Sequence, residues 1–510
     1  MSATRVVPER GDLAIVLHSH MPYVEGFGTW PFGEEWLLEA IATCYLPLID
    51  TLERWAQRDG AVATVGITPV LADQLALPGV GERFLRFMNK TRAECHRRDI
   101  EGFEREGQHQ AARALRRSAN DYERASHRFE QLDGNLLTAF RRLGDAGVVE
   151  LLTSSATHAV LPLIGTEAGL RLQLRTGVRS HRERFGRWDG GFWLPECAYR
   201  SGLEQPLAEA GARAFCVDQT GWLDDFDQLQ PIGTDAGPIA VPIDWSTISL
   251  VWDSRGYPSD PVYRDYHAHT LNGMRPWAND GAAYDHDAAH ARAREHAREF
   301  VASVGARLDD YRAASDRLGL CVCALDTELL GHWWYEGPAW LDAVADEVAN
   351  AGIRLVTLAE GVARHRATIC ELHESSWGAQ KDLSTWDSPG VAELRWSAAE
   401  AELKLVEMLA HAPSEGAAAQ RAARELLALQ SSDWAFMCSR EVAGGYPAQR
   451  ADGHSSAFRK ALAEIEQVVQ DSRSMPAPPE ANLRGLAPRL DLAALLEPAS
   501  PWGRQSLGDH

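Results

Sequence analysis

Apolar positions along this chain fall into two patterns. Short continuous runs, each followed by a polar or reactive residue, recur through the first three quarters of the sequence. They are 13–17, ending at His18 and His20; 61–65, ending at Thr68; and 148–152, ending at Ser154, Ser155 and His158. Then come 192–194, ending at Glu196; 214–217, ending at Asp218; 320–325, ending at Asp326; and 353–356, ending at Thr357. Continuous apolar runs belong to strands covered on both faces, and their alternation with longer amphipathic segments predicts βα units around a parallel sheet. Seven runs predict a closed or nearly closed barrel. Functional groups gather at the carboxyl ends of such strands, so His18, His20, His158, Glu196, Asp218 and Asp326 are expected on one face.

The second pattern has helical spacing. Between the second and third runs, Phe84, Leu85, Phe87 and Met88, then Leu132, Leu136, Leu137 and Phe140, recur among arginines and glutamates. This stretch is too long for a βα loop, and predicts a helical insertion over 80–147 with a solvated, ion-paired face. From about residue 371 the strand signals stop, and Leu403, Val406, Leu409 and Ala410, then Ala422, Leu426, Leu427 and Leu429, predict a helical C-terminal domain over 371–510. The barrel then comprises 1–79 and 148–370. Pro476, Pro478 and Pro479 interrupt the helical pattern and predict a loosely packed tail. Residues 223–287 are irregular and rich in aromatics, with short strands expected at 239–243 and 248–252.

Charge narrows the choice of ligand. With 51 Lys+Arg against 72 Asp+Glu, the net charge of −21 disfavours nucleic acid and anionic membranes and favours a neutral ligand. No segment approaches a membrane span and the first ten residues are polar, while eight scattered cysteines lack disulfide or zinc spacing. A cytoplasmic protein with reduced thiols is expected.

Three constellations can carry chemistry. His18-Ser19-His20 places two imidazoles at a strand end, and suits either hydrogen bonding or a metal site of the phosphoesterase or deacetylase kind with ligands from later strands. At this point metal and no-metal readings both stand. Asp326-Thr327-Glu328 runs into Gly331-His332-Trp333-Trp334, and a carboxylate beside indoles suits a sugar, whose apolar ring faces pack on Trp. Gly190–Arg200 ends an aromatic-rich strand at Pro195 and Glu196. Glu196 and Asp326, on different strands, are the minimum equipment for glycosidic chemistry, one as nucleophile and the other as a proton donor of raised pKa.

Five ordered motifs carry a family resemblance. His18-Ser19-His20-Met21-Pro22, Gly66-Ile67-Thr68-Pro69, Trp193-Leu194-Pro195-Glu196, Asp326-Thr327-Glu328 with Gly331-His332-Trp333-Trp334, and Glu374-Ser375-Ser376-Trp377-Gly378 resemble the signature motifs of glycoside hydrolase family 57. Trp386, nine residues after Trp377, and Ser431-Ser432-Asp433-Trp434 look like that family's α-1,4-glucan branching enzymes. The resemblance spans nearly the whole chain. It implies an α/β fold built on an incomplete (β/α)7 barrel with the helical insertion and helical C-terminal domain. It implies a retaining double displacement with Glu196 as nucleophile and Asp326 as general acid/base, and an α-1,4-glucan substrate such as amylose or a glycogen-like chain. His18, His20 and His158 would hydrogen-bond the substrate without any metal or cofactor. Trp377 and Trp386 would form an aromatic wall, Asp433 would lie nearby, and Trp277 would face the substrate. A 4-α-glucanotransferase or α-amylase of the family is the nearest alternative; a noncatalytic glucan-binding protein is another. The chain departs from the family at one point: residues 220–255 hold no tyrosine where its branching enzymes carry one on a loop, and Trp222, Trp245 or Tyr257 are candidates to replace it.

Overall fold

The computed structural model describes residues 9–28, 32–411, 416–471 and 485–497. Its strands are β1 (Gly11–Ser19), β2 (Ala63–Ile67), β3 (Val149–Leu152), β4 (Gly191–Phe192), β5 (Ala214–Val217), β6 (Ile232–Gly233), β7 (Ile239–Pro242), β8 (Gly319–Asp326) and β9 (Ile353–Leu355). All seven apolar runs coincide with a strand, as does the expected strand at 239–243.

β1 is the axis of the fold. Every one of its residues is buried, and it pairs in parallel with β8 on one side and with β9 and then β2 on the other. Its one buried carboxylate, Asp12, is satisfied by Arg364 Nε at 2.6 Å and His365 Nε2 at 2.9 Å. β3 continues the first sheet from β2, in the order β3-β2-β1-β8. A second sheet runs β4-β5-β7-β6, parallel except for β6. Two backbone links join the sheets. A parallel bridge connects Thr153, just past β3, with Phe192 of β4, and the Asp244 N–H, just past β7, donates to Val322 O of β8 at 2.8 Å.

Helices cover both sheets. Between β2 and β3 the chain is helical, including Ala93–Arg105, His109–Gln131 and Leu136–Asp145. From Ala392 the described residues are mainly helices, with Ala392–His411, Ala417–Leu429, Ser432–Ser439 and Tyr446–Asp471 packed on one another. Their apolar cluster takes in Tyr23, Val70, Ala156 and Leu172 from the strand-bearing part.

Two expectations fail. Residues 248–252 lie in the helix Trp245–Trp252, whose N-terminus is capped by Asp244 accepting from the Thr247 N–H; the run Ile248, Leu250, Val251 carries no period that separates strand from helix. The tail is also not loose throughout. Ala487 N–H donates to Asp73 at 2.8 Å, Arg171 donates to Glu497 O at 2.9 Å, and Leu486, Ala494 and Leu495 are buried. Pro476, Pro478 and Pro479 lie outside the described residues.

Candidate active site

The carboxyl ends of the parallel strands meet where the C-terminal helices close over them. His18 lies opposite Asp326 in the β1–β8 register, so one imidazole and one carboxyl are set side by side by backbone pairing alone. Thr68 follows β2, and His158 follows β3 in a turn of left-handed backbone, φ 57°. Glu196 follows β4 in a short turn, Pro195–Cys197, and it too is left-handed, φ 61°, as is Cys197, φ 48°. Left-handed backbone is uncommon for residues with a Cβ, and such strain persists only where the surroundings over-determine it.

What holds Glu196 is Trp377. The indole Nε1–H donates to Glu196 Oε2 at 2.8 Å, and the Trp377 backbone N–H donates to Glu196 O at 2.9 Å. The other oxygen, Oε1, lies 3.6 Å from His158 Nδ1. Trp193 packs 5.0 Å from Trp377 and 4.6 Å from His18 between ring centroids, so it backs the indole that holds the carboxylate. Burial raises the Glu196 pKa, against the lowering bonds from Trp377 and Ser432.

Three imidazoles line the same face. His18 Nε2 and His158 Nε2 share one hydrogen bond at 2.9 Å, and His158 Nδ1 meets the Ser432 hydroxyl at 2.8 Å. His20 stacks on His158 with ring centroids 4.0 Å apart, and bonds Asp433 Oδ1 at 3.0 Å and Thr68 Oγ1 at 3.1 Å. Burial, then the neighbouring imidazoles, holds His18 and His158 well below the usual histidine range, as neutral rings. Burial opposes charge on His20 as well, but the Asp433 carboxylate outweighs it and raises its pKa. The imidazoles do not converge on a common point: the Nε2 of His18 is taken by His158 and that of His20 by Asp433. Among the described residues no group of three or more His, Cys, Asp and Glu has the arrangement of a metal site.

Asp326 sits half-buried at the end of β8. Burial, then the charges of Glu328 and Glu196, holds its pKa well above the ordinary aspartate value, the direction a proton donor needs. Glu328 is anchored by Tyr45 Oη–H at 2.5 Å and by the His20 N–H at 3.1 Å, and burial pushes its pKa up to about 7. Tyr45 ends a π-helical turn, Ile41–Tyr45. That turn also supplies Thr43, whose carbonyl would lie 1.9 Å from a Cβ at Gly331, φ 105°, so only glycine allows the β8 loop to turn there.

The structure separates the remaining candidates. Trp377 and Asp433 belong to the cluster. Trp386 is not an exposed wall: it is 2% exposed, buried with Val160 and Ala198 beside a cavity of about 60 Å³ that Ser431 and Ser432 also line. Trp277 meets Phe103 of the helix Ala93–Arg105 edge-on at 6.0 Å, and the carboxyls are held without it. Asp218 is fully buried in an ion pair with Lys381 Nζ at 2.6 Å, which ties the segment carrying Trp377 to β5. Of the three aromatics considered for the missing tyrosine, Trp222 is the open one, 54% exposed and stacked on His373 at 4.7 Å. Trp245 lies under Lys381 Nζ at 3.2 Å, and Tyr257 stacks on His296 at 4.2 Å. Sequence reasoning gave no part to Tyr45, Ser432, Lys381 or Trp193. Trp193 and Ser432 lie within motifs, Lys381 follows one by three residues, and Tyr45 sits on a helix with nothing to mark it.

Comparison with known proteins finds similar chains along nearly the whole sequence. The model of glycosyl hydrolase family 57 matches residues 14–266, and that of the C-terminal domain of 1,4-alpha-glucan branching enzymes matches residues 396–476. A 1,4-alpha-glucan branching enzyme of Thermococcus kodakarensis is 32% identical over 514 aligned residues, covering 90% of this chain and 74% of the relative. A probable 1,4-alpha-glucan branching enzyme of Mycobacterium tuberculosis is 32% identical over 500, covering 90% and 93%. The crystal structure of a family 57 branching enzyme from Pyrococcus horikoshii superposes with a TM-score of 0.90 at 31% identity, covering 96% of this chain and 98% of that one.

Proposed function

Since the chain belongs to glycosyl hydrolase family 57, we propose that it is a 1,4-α-glucan branching enzyme acting by retaining double displacement. The observation that carries the reading is a pair of acids in unlike surroundings, Glu196 gripped by Trp377 and Asp326 beside His18 at the end of β8 with its pKa raised by burial, in a site completed by Ser432 and Asp433 of the C-terminal helices.

Asp326 gives its proton to the glycosidic oxygen as a Glu196 oxygen attacks the anomeric carbon; the C–O bond breaks, the leaving chain departs with a 4-hydroxyl, and a glucosyl ester forms. The Asp326 carboxylate then takes the proton of an acceptor's 6-hydroxyl, whose oxygen displaces Glu196 and creates the α-1,6 branch. Sugar hydroxyls would exchange with the bonds that neutral His18 and His158 make within the site, and His20, whose pKa Asp433 raises, lies against His158 beside the ester. Trp377 and Trp193 keep water from the anomeric carbon, which favours a glucan acceptor. Trp386 and Trp277 complete this reading only if substrate binding opens the face that buries Trp386.

On the same reading the two sheets are halves of one incomplete (β/α)7 barrel, comprising residues 1–79 and 148–370. Their links at Thr153–Phe192 and Asp244–Val322 support this. Residues 80–147 are the helical insertion and 371–510 the helical C-terminal domain. The partner is a soluble α-glucan, and the compartment the cytoplasm; no described helix is long and apolar enough to cross a membrane.

The test is linkage analysis of product from amylose by proton NMR, with Glu196→Gln as control. New α-1,6 signals without matching release of reducing ends support branching. Redistributed α-1,4 chains or accumulating reducing ends would instead assign a 4-α-glucanotransferase or an α-amylase. Glucan binding with no turnover would leave a binding protein.

A further inference from the structure

Large aromatics in this protein are mostly hidden: Trp55, Trp193, Trp334, Trp340 and Trp434 are fully buried. Among the described residues Trp222, Trp252, Trp333 and Trp396 are the exposed indoles, and two of them, from distant parts of the chain, meet at one place. Trp252, at the end of the helix Trp245–Trp252 after β7, is 43% exposed, and Trp333, on the loop after β8, is 38% exposed. They meet edge-on with centroids 6.2 Å apart, an arrangement that covers at most one indole face and leaves the other open to solvent.

The pair does not stand alone. Trp333 lies 6.1 Å from the ring of His332, and His332 lies 5.7 Å from Tyr266. Arg275 stacks on Tyr266 at 4.5 Å, which fixes that ring from behind. Four rings therefore adjoin one another, the two indoles exposed and His332 and Tyr266 half-buried behind them. At its middle the series is tied to the catalytic loop, since the Trp333 N–H donates to Glu328 O at 3.3 Å, two residues beyond Asp326.

A compact substrate would need one such ring; a succession of them suits an extended polymer whose repeating units each present an apolar face. Beside Trp252, the exposed Asp253 and Arg255 are available to hydroxyl groups. We propose that Trp252 and Trp333, continued by His332 and Tyr266, are an auxiliary binding track for α-glucan, engaging chain that extends beyond the reacting residue at Asp326. The proposal rests on the glucan reading of the active site and adds to it a basis for preferring long chains over short ones.

Affinity electrophoresis of the full-length protein in native gels containing amylose tests it directly, alongside kinetics on long amylose and on maltohexaose. W252A/W333A should be retained about tenfold less strongly and raise KM for amylose by a similar factor, and W252A alone should raise KM for amylose with kcat and KM for maltohexaose unchanged. W252F and W333F keep a ring and should give smaller, graded losses; they also serve if the alanine variants fold poorly. Unchanged retention in the double variant, or equal losses on long and short substrates, would overturn the track. If wild-type protein makes no α-1,6 linkages yet its retention depends on the two indoles, the track stands and the branching reading fails.

Discussion

Glu196 is fixed by its backbone before it is fixed by its charge. Its left-handed φ of 61° is held by the Trp377 N–H on its carbonyl, and the Trp377 indole then holds the carboxylate. The same indole lowers a pKa that burial has raised, so it keeps Glu196, the proposed nucleophile, ionised further into acid. Trp377→Phe removes that donor and retains the ring. The sign follows: with a lowering bond lost, the Glu196 pKa rises, and the acid limb of the kcat/KM profile should move to higher pH. About one unit, the value of one hydrogen bond to a charged group, is the expected displacement, measured on a short maltooligosaccharide. An unmoved acid limb with lower kcat would mean that Trp377 acts on substrate alone. Stability has the opposite pH sense for a carboxyl with a raised pKa: the proton it binds favours the folded state at low pH, and that contribution is lost as pH rises through the folded value.

At the scale of elements, Lys381 joins two segments that sequence keeps apart. Its ammonium sits 2.6 Å from the fully buried Asp218 after β5 and 3.2 Å from the Trp245 ring centroid. Lys381→Met strands a buried carboxylate and should destabilise the protein by about 3 kcal/mol, read as a lower midpoint in urea. Adding Asp218→Asn should restore most of the loss; if it does not, the pair is not the source. Strands were the legible elements because a strand covered on both faces must be apolar throughout, and β1, β5 and β8 advertise that in sequence. Their carboxyl ends bring Glu196, Asp326, His18, His20 and His158 together, whereas Asp218, expected beside them, is buried against Lys381. The strand expected at 248–252 was misread because a short apolar run has no period, and an Asp cap decided for helix. Tyr45 was illegible for a different reason. Only the π-helical turn aims it at Glu328, and a single inserted residue in a helix leaves no mark in the hydrophobic pattern. Trp386 carried an aromatic signal that cannot tell a wall from a core.

Across the whole molecule, the strand-bearing part and the C-terminal helices share one core and one site. Ala156 and Leu172 are buried against Leu405, Leu426 and Leu427, and Ser432 and Asp433 complete the bonding of His158 and His20. A chain ending at residue 370 is therefore expected to be neither active nor well packed: it should bind a hydrophobic dye, lose near-ultraviolet dichroism and show no turnover. A compact, dye-silent truncation would show that the two parts fold independently.

The seam at Ser432 and Asp433 also bears on how such a protein can change over generations. Because two of the three imidazoles are bonded by residues more than 250 positions away, the separation being 274 for His158–Ser432 and 413 for His20–Asp433, the two ends of the gene are bound to vary in concert. Exchange of the C-terminal third between relatives at this level of divergence would transplant half of a protonation state. Chimeras should work only when both sides of the seam come from one parent.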